Sequence, residues 1–293
     1  MRFHPRYLAT GFQTLIVVVG HLWLNLLPSW EQFLIAVGVA LAAEAVLGRL
    51  YWGKWPNLIS GYMAGVSIGI LVRSPLIWPY VVGSLLSIAQ KYAIRFRGRH
   101  LFNPSNFGLC VLLLTAPEAV AALSKQLTNL PIVIGFLFAF GVVVIGRLGR
   151  LDAVGAYLAV FLPLSLARSA VNGTPWVAEL APLVGPMYQI FLFFMLTDPK
   201  TTPADRRGRV LFGVAVAIVE ALLRWAQVVN APFFAVFLVT PIAVIVETLL
   251  RERAPAPGGN GGRDHRERRA VEPVHVHRGS DRAGAGGGGS AGA

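Results

Sequence analysis

The sequence predicts an all-α integral membrane protein with ten transmembrane helices, arranged as two inverted repeats of five. Three observations predict this class. Hydrophobic residues make up 55% of the 293 residues and charged residues 14%. The charges fall in short clusters between apolar runs of roughly twenty residues, the length of helix that crosses a bilayer. One sequence pattern also occurs twice, with Asn103 and Asn230 at matching positions.

Ten apolar runs define the predicted membrane spans. They lie near residues 8–27, 32–48, 57–72, 75–91, 101–117, 130–147, 151–171, 181–198, 209–226 and 231–250. The third and fifth runs are short, so re-entrant or broken helices are alternatives to full spans there.

The repeated pattern opens the fifth run of each half. The two copies are His100-Leu-Phe-Asn103-Pro104-Ser-Asn106-Phe107-Gly and Gln227-Val-Val-Asn230-Ala-Pro232-Phe-Phe234-Ala. An internal repeat in a membrane protein indicates two structural halves with the site of action between them. We therefore predict a first repeat over 1–125 and a second over 126–250. Residues 251–293, rich in Gly, Pro, Ala and Arg, are predicted to be a disordered cytoplasmic tail.

Lys and Arg favour cytoplasmic loops, and their distribution here predicts the orientation. Outside the tail, fourteen lie in loops of one side and four in loops of the other. The fourteen are Arg2, Arg6, Arg49, Lys54, Lys91, Arg95, Arg97, Arg99, Arg147, Arg150, Lys200, Arg206, Arg207 and Arg209; the four are Arg73, Lys125, Arg168 and Arg224. We predict a multi-pass protein of the bacterial inner membrane with both termini in the cytoplasm. Topology thus accounts for the net charge of +12, and no soluble basic face suggests a nucleic-acid partner.

The sequence excludes several kinds of chemistry. Cys110 is the single cysteine, so the chain forms no internal disulfide and cannot ligate an iron–sulfur cluster alone. His21 is the one histidine inside a predicted span, which excludes a haem held by two intramembrane histidines. His275 and His277 lie in the tail and are a weak metal signal. We predict no metal site and no catalytic residues, because no hydrolase-type set of side chains is present.

Polar residues inside apolar runs are the candidate functional groups, since lipid makes them costly. Glu44 lies well inside the second span and must face a cavity or a partner, or stay protonated; it is our transport candidate. Glu220 precedes Arg224 by four residues, a spacing that predicts a structural ion pair. Asp198 before Pro199, and Arg73 two residues before Pro75, end the eighth and third spans at equivalent positions of the two halves.

Asn103 and Asn230 are predicted to cap the fifth and tenth helices, each with a proline in the first helical turn. Capping accounts for both residues. A helix N-terminus at membrane depth also presents free N–H groups and a positive dipole end to an anionic or polar ligand. Both interpretations stay open.

Two motifs resemble one protein family. The segment from Phe102 to Gly108 is similar to its Phe-Asn-Pro-Ala-Ala-x-Gly motif, and the segment from Phe193 to Pro199 to its Phe-Met-x-Thr-Asp-Pro motif. The family holds the B subunit of the sodium-pumping NADH:quinone oxidoreductase and the D subunit of the Rnf electron-transport complex. This NqrB/RnfD resemblance covers about residues 10–250. It implies inverted five-helix repeats, flavin-linked electron transfer coupled to ion movement, and other membrane redox-complex subunits as partners beside the lipid bilayer. The candidate cofactor-binding or structural residues are Asn103, Asn106, Thr197, Asp198 and Asn230.

One departure from the family concerns flavin. The electron-transfer members attach FMN to a threonine of a Ser/Asp-Gly-x-Thr type motif between these two motifs, and Asn172-Gly173-Thr174-Pro175 matches it poorly. We therefore do not expect covalent FMN, whereas noncovalent FMN or riboflavin stays open. The alternative function is a flavin-free transporter of a small molecule or ion. The Asn-Pro-Ser-Asn form of the first motif resembles a family branch linked to enediyne natural-product biosynthesis. A scaffold for another membrane enzyme is a third possibility.

Overall fold

A computed structural model describes residues 5–24, 26–27, 29–123 and 131–253. The predicted tail, apart from its first three residues, lies outside these ranges, and so does the predicted repeat boundary at 125–126. The described residues are mostly helical. Their α-helices are α1 (Pro5–Leu24), α2 (Trp30–Trp52), α3 (Ile59–Leu71), α4 (Trp78–Ala93), α5 (Pro104–Thr115), α6 (Pro131–Arg147), α7 (Leu151–Asn172), α8 (Trp176–Leu180), α9 (Pro186–Ile190), α10 (Arg206–Trp225) and α11 (Ala231–Arg253).

Two strand pairs and two irregular helical turns complete these elements. Strand β1 (Val72–Arg73) pairs antiparallel with β4 (Ala121–Ala122), and β2 (Arg95–Phe96) pairs antiparallel with β3 (Arg99–His100). A 3₁₀ helix spans Ala181–Val184, and a π-helix spans Phe191–Met195.

Three described helices are long and apolar enough to cross a membrane: α2, α7 and α11. A bent pair, Trp176–Val184 with Met187–Met195, adds a fourth if it forms one broken span. Further apolar helices are shorter, among them the 13-residue α3 and the 12-residue α5. The helices are thus those of an integral membrane protein, and the short third and fifth runs are short helices. Ten full-length spans are not found among the described residues.

The predicted eighth span is not one continuous helix. Its two parts meet at Gly185 and Pro186 with a bend of 62°. Gly185 is extended, with φ −80° and ψ 153°. Proline disfavours the helical conformation of the residue before it, and it lacks the N–H that would continue the hydrogen-bond ladder. The Gly-Pro pair therefore breaks the helix.

Small residues allow the helices of the first half to pack closely. Gly61, Gly65 and Gly69 repeat every four residues along one face of α3, which packs against α2. A Cβ on Gly65 would lie 2.7 Å from Val37 Cα, so only glycine permits this approach. Helix α2 also packs on α4, and α4 on α5.

The second half has a similar set of packed helix pairs. Helix α7 packs on α10, and α10 packs on α11. The two halves meet where α1 contacts α6 and where α5 contacts α11. The first contact includes the rings of Phe12 and Phe140, whose centroids are 4.9 Å apart.

Candidate functional site

Asn103 joins the start of α5 to the end of the π-helical segment. Its backbone is extended, and its Oδ1 accepts from the backbone N–H of Asn106 at 3.1 Å, the geometry of an N-cap. Its Nδ2 donates to Asp198 Oδ2 at 3.1 Å and to the Phe194 carbonyl at 3.5 Å. One amide thus caps a helix and holds a carboxylate from the other half of the chain.

Asp198 is held in a tight turn that follows the π-helix. Its carboxylate accepts from the Lys200 N–H at 3.1 Å and from Thr201 Oγ1 at 3.2 Å, in addition to Asn103. The buried Thr197 hydroxyl donates to the Phe193 carbonyl at 2.8 Å. A π-helix carries an extra residue in its turn and occurs frequently at functional sites. Thr197 stabilises that irregular turn, and Asp198 is the charged group that the turn presents.

Asn106 connects the starts of α5 and α11. Its Nδ2 donates to the Phe233 carbonyl at 3.1 Å, and it is almost fully buried. Phe102 stacks on Phe237 with centroids 5.0 Å apart. Phe102 precedes Asn106 in the sequence, whereas its partner Phe237 follows Phe233. The chain therefore runs in opposite directions at the starts of α5 and α11.

Asn230 does not have the cap geometry that we predicted for it. Its φ is +63°, in the left-handed region, and its carbonyl rather than its side chain accepts from the Phe233 N–H at 3.1 Å. Gln227 is also left-handed, with φ +57°. The chain therefore reaches α11 through a tight turn, whereas it reaches α5 in extended form. Asn230 takes no part in the Asn103–Asp198 hydrogen bond.

Glu44 has a charged partner. It is 5% exposed and forms an ion pair with Lys91, whose Nζ also donates to Ser60 Oγ at 3.0 Å. Tyr92 Oη donates to Glu44 Oε1 at 3.3 Å. Of the alternatives that the sequence left for this carboxylate, the structure favours a partner over an open cavity. Lys91, at the last turn of α4, is a residue whose role the sequence analysis missed.

His100 adds a free polar group close to Asp198. It lies in β3, outside the membrane-spanning helices, and its Nε2 is buried without a hydrogen-bond partner among the described residues. Burial lowers the pKa of His100 to about 4, although the nearby Asp198 carboxylate acts in the opposite direction. The ring is therefore neutral at physiological pH. Gln90 Oε1 is a second buried atom without a partner, and Gln90 Nε2 donates to the Phe102 carbonyl at 3.3 Å.

The predicted pair of Glu220 with Arg224 is wrong. Glu220 accepts from two phenols instead: Tyr157 Oη at 2.5 Å, and Tyr188 Oη. Arg224 pairs with Glu179 at 3.2 Å and also donates to Ser165 Oγ at 3.2 Å. Helix spacing could not reveal this arrangement, because Glu179 and the tyrosines come from other elements.

Charged residues gather at the end of the fold that carries the basic loops. Ion pairs there join Arg209 to Asp152 at 2.6 Å, Arg99 to Glu247 at 2.8 Å, and Arg97 to Glu252. Arg99 also donates to the Lys200 carbonyl at 3.3 Å, and Arg150 to the Pro199 carbonyl at 3.5 Å. Loops predicted to share one side of the membrane thus contact one another.

A second charged group joins loops predicted to lie on the other side. Arg168 and Arg224 both bind Glu179, at 2.9 and 3.2 Å. The Thr174 hydroxyl also donates to Glu179 Oε1, at 3.0 Å. Arg168, Arg224 and Glu179 thus form one charged cluster at this end.

The remaining candidate ligands have packing roles. His21 Nδ1 accepts from the Leu27 N–H at 3.3 Å, and its ring lies against Trp30. Cys110 is fully buried. In the part of the chain that the structure describes, no group of three or more His, Cys, Asp or Glu is placed to hold a metal ion. His275 and His277 lie outside that part.

Comparisons with known proteins identify relatives of the chain. The sequence model of the NQR2, RnfD, RnfE family matches residues 122–255, a range that includes Thr197, Asp198 and Asn230. Three proteins named as the D subunit of an ion-translocating oxidoreductase complex are also similar. The one from Shewanella denitrificans is 27% identical, covering 86% of this chain and 79% of its own length. The one from Shewanella piezotolerans is 23% identical, covering 76% and 85%. A third, from Sodalis glossinidius, is 32% identical over a shorter stretch, 32% of this chain and 30% of its own length.

Proposed function

We propose that the chain is a membrane subunit of a complex that couples electron transfer to ion transport, because the NQR2, RnfD, RnfE family model matches residues 122–255 and similar proteins are named as D subunits of such a complex. The relatives' names supply the class of activity and the multi-subunit setting. The observation that carries the proposal is the hydrogen bond between Asn103 and Asp198. It joins the two motifs by which the sequence resembles this family, and it places a carboxylate at a break between helices.

We further propose that the two halves are inverted repeats. The Asn106 to Phe233 hydrogen bond links residues 127 positions apart, the same offset as Asn103 and Asn230. Equivalent residues of two repeats touch each other only close to the axis that relates the repeats. The contact of Phe12 with Phe140, 128 positions apart, supports the same axis between α1 and α6. The packing of α2 on α4 resembles that of α7 on α10.

The proposed location is the bacterial inner membrane, with the Arg99–Glu247 end in the cytoplasm. The charge asymmetry of the loops supports this orientation. Loops assigned to each side form ion pairs with one another, which is the pattern expected if the spans alternate in direction.

The proposed ion path passes the turn that holds Asp198. A carboxylate beside an irregular helix end, with the Asn103 amide and the neutral His100 nearby, offers oxygen and nitrogen ligands that a moving cation or proton can use in turn. Glu44 is less suited to this task, because Lys91 already neutralises it. The transport role we proposed for Glu44 therefore becomes one of holding α2 against α4.

Flavin fits the described residues poorly. Thr174, the candidate hydroxyl for a covalent bond, already donates a hydrogen bond to Glu179 at 3.0 Å. The cleft beside Arg168 and Arg224 has a cavity volume of about 10 Å³, roughly the space of one water molecule, whereas ligand pockets are typically ~300–1,000 Å³. We assign no step to flavin in this chain. A noncovalent FMN or riboflavin remains a proposal from family likeness, tested by flavin absorbance of the native preparation and fluorescence after denaturing electrophoresis.

The same observation at Thr174 favours a second candidate function, a flavin-free transporter of a small molecule or ion with this fold. A colourless but folded preparation would support it. Genes of a polyketide cluster beside the coding sequence would extend it to enediyne biosynthesis, whereas redox-subunit genes would support the first function.

The role of Asp198 is tested by ion uptake into inverted membrane vesicles of the native host. Asp198→Asn keeps one acceptor oxygen in the turn, replaces the other by an NH2 group and removes the charge, so we expect uptake to fall strongly while the protein stays in the membrane. Asp205→Asn is the matched control, because Asp205 lies nearby in the sequence and caps α10 through the Gly208 N–H at 2.7 Å. If the Asp198→Asn variant took up as much ion as the Asp205→Asn control, the proposed path would be refuted.

A further inference from the structure

The most deeply buried carboxylate of the described residues is unused by the proposed ion path. Glu220 lies in α10 with no exposed surface. Each of its two oxygens accepts a hydrogen bond from one phenol, Tyr157 of α7 and Tyr188 of α9. A carboxylate inside a membrane protein is costly and marks a functional group unless a charge compensates it.

Among the described residues, no cation neutralises Glu220 directly. Arg224 lies one helical turn further along α10, but its guanidinium is bound to Glu179 and Ser165. Arg168 of α7 is also bound to Glu179. Helix α11, which packs on α10 too, carries no titratable side chain between Ala231 and Val246. Among the described residues, the titratable groups around this carboxyl group are therefore two phenols and the guanidinium of Arg224, which already binds other partners.

Aromatic rings pack around the two phenols that bind Glu220. Tyr157, Phe161, Tyr188 and Phe191 contact one another in a closed cycle, with centroid distances from 5.3 to 5.9 Å. The rings pack too tightly to admit a hydrated ion. A proton needs no such space and requires only hydroxyl groups with which it can be exchanged. The ligand class that fits this cycle of rings is thus the proton.

A small cleft lies next to Glu220 along α10. Its cavity volume is about 10 Å³, roughly the space of one water molecule, and it is lined by Phe161, Ser165, Arg168, Ala221 and Arg224 among others. Phe161 belongs both to the cleft and to the ring cycle, and the Arg224 guanidinium lies over its face at 5.2 Å. Ala221 directly follows Glu220 in α10. Phe161 therefore lies between this cleft and the ring cycle whose two tyrosines bind Glu220.

We propose that Glu220, with Tyr157 and Tyr188, is a proton-binding site that exchanges protons with the side of the membrane where Arg168 and Arg224 lie. The carboxylate takes up one proton from water in the cleft and returns it the same way, with the phenols reorienting their O–H groups. The site requires neither redox partners nor flavin, so its test is independent of the function proposed above.

Infrared spectroscopy of the purified full-length chain in lipid bilayers tests the proposal across an acidic-to-alkaline pH series. A protonated buried carboxyl group gives a C=O stretching band well separated from the amide bands. We expect one such band to fade as the pH rises and to be absent in Glu220→Gln. Glu44→Gln, which changes a buried carboxylate that has a lysine partner, should retain it. Absence of a band from Glu220 at every pH, or a band that never titrates, would overturn the proposal.

The phenols and the cleft are tested separately. Tyr157→Phe should move the band to higher wavenumber, because a carbonyl that loses an O–H donor vibrates faster. Ala221→Phe should fill the cleft and slow deuterium exchange of the carboxyl proton severalfold. Leu211→Phe, at an exposed position of the same helix, is the control and should leave exchange unchanged. If Ala221→Phe fails to fold, Leu164→Trp fills the same cleft. Unchanged exchange in a folded cleft variant would refute the route.

Discussion

Asn106 donates a hydrogen bond to the carbonyl of Phe233, a residue at the equivalent position of the second copy of the sequence repeat. The contact buries the side-chain amide of Asn106 between the first turns of α5 and α11. The two copies of the sequence repeat are thus in direct contact in the structure. The neighbouring Asn103 then reaches Asp198, so the start of α5 contacts both α11 and the turn that follows the π-helix.

We predict that the two charged ends of the fold lie on opposite sides of the membrane. Arg207→Cys places a thiol on an exposed position in the first turn of α10, and Val229→Cys places one at a 75% exposed position before α11. An impermeant maleimide added to intact cells should label Cys at 229 and not at 207. The native Cys110 is fully buried and gives no background. Labelling at 207 would reverse the orientation.

We predict that the two hydrogen bonds of the Asn103 side chain have separable effects. Asn103→Ser keeps an N-cap hydroxyl but is too short to reach Asp198, so stability should stay near wild type while ion uptake falls. Asn103→Ala loses the cap as well and should lower stability by ~0.5–2 kcal/mol. Thermal denaturation in detergent and vesicle uptake measure the two effects. Full uptake in a stable Asn103→Ser variant would reduce Asn103 to a capping role.

The sequence predicts those features that depend on local chemistry. The cap at Asn103 and the short α3 and α5 follow from residue type and spacing. Gly185-Pro186 is a local signal for a helix break, although the sequence analysis predicted a continuous eighth span across it.

Features that depend on tertiary contacts could not be predicted in this way. Glu220 selects two phenols from α7 and α9 over the arginine on its own helix, and spacing along α10 contains no information about those neighbours. Asn230 resembles Asn103 in sequence, but a turn with two left-handed residues precedes α11, so its backbone is not in the extended conformation that an N-cap residue has at Asn103.

Gly108 is predicted to be indispensable for the packing of α5 on α4. A Cβ at Gly108 would overlap Ser87 Oγ and the Gly83 carbonyl oxygen. Gly108→Ala should therefore lower the free energy of unfolding by ~1–3 kcal/mol, the usual cost of overpacking. Gly38→Ala is the control, since it lies in α2 with open space around it and should raise stability slightly. A neutral Gly108→Ala variant would contradict the close helix contact.

His100 should make the protein less stable as the pH falls. Its pKa in the folded state is about 4, below the value of 6.5 expected in the unfolded chain. Between these values the unfolded state binds a proton that the folded state does not, so stability is highest above pH 6.5 and declines as the pH falls towards 4. The loss is at most on the order of 3 kcal/mol. Denaturation midpoints of His100→Gln should fall less over this range than those of wild type. Identical pH profiles would show that His100 is not buried in its neutral form.

NADH-driven ion uptake into inverted membrane vesicles from the native host tests most directly whether the chain is a membrane subunit of a complex that couples electron transfer to ion transport. We predict that deletion of the gene abolishes this uptake, that wild-type protein restores it and that the Asp198→Asn variant does not. Uptake that continues unchanged in the deletion strain would contradict the claim, and uptake of a solute without NADH oxidation would support the flavin-free transporter instead.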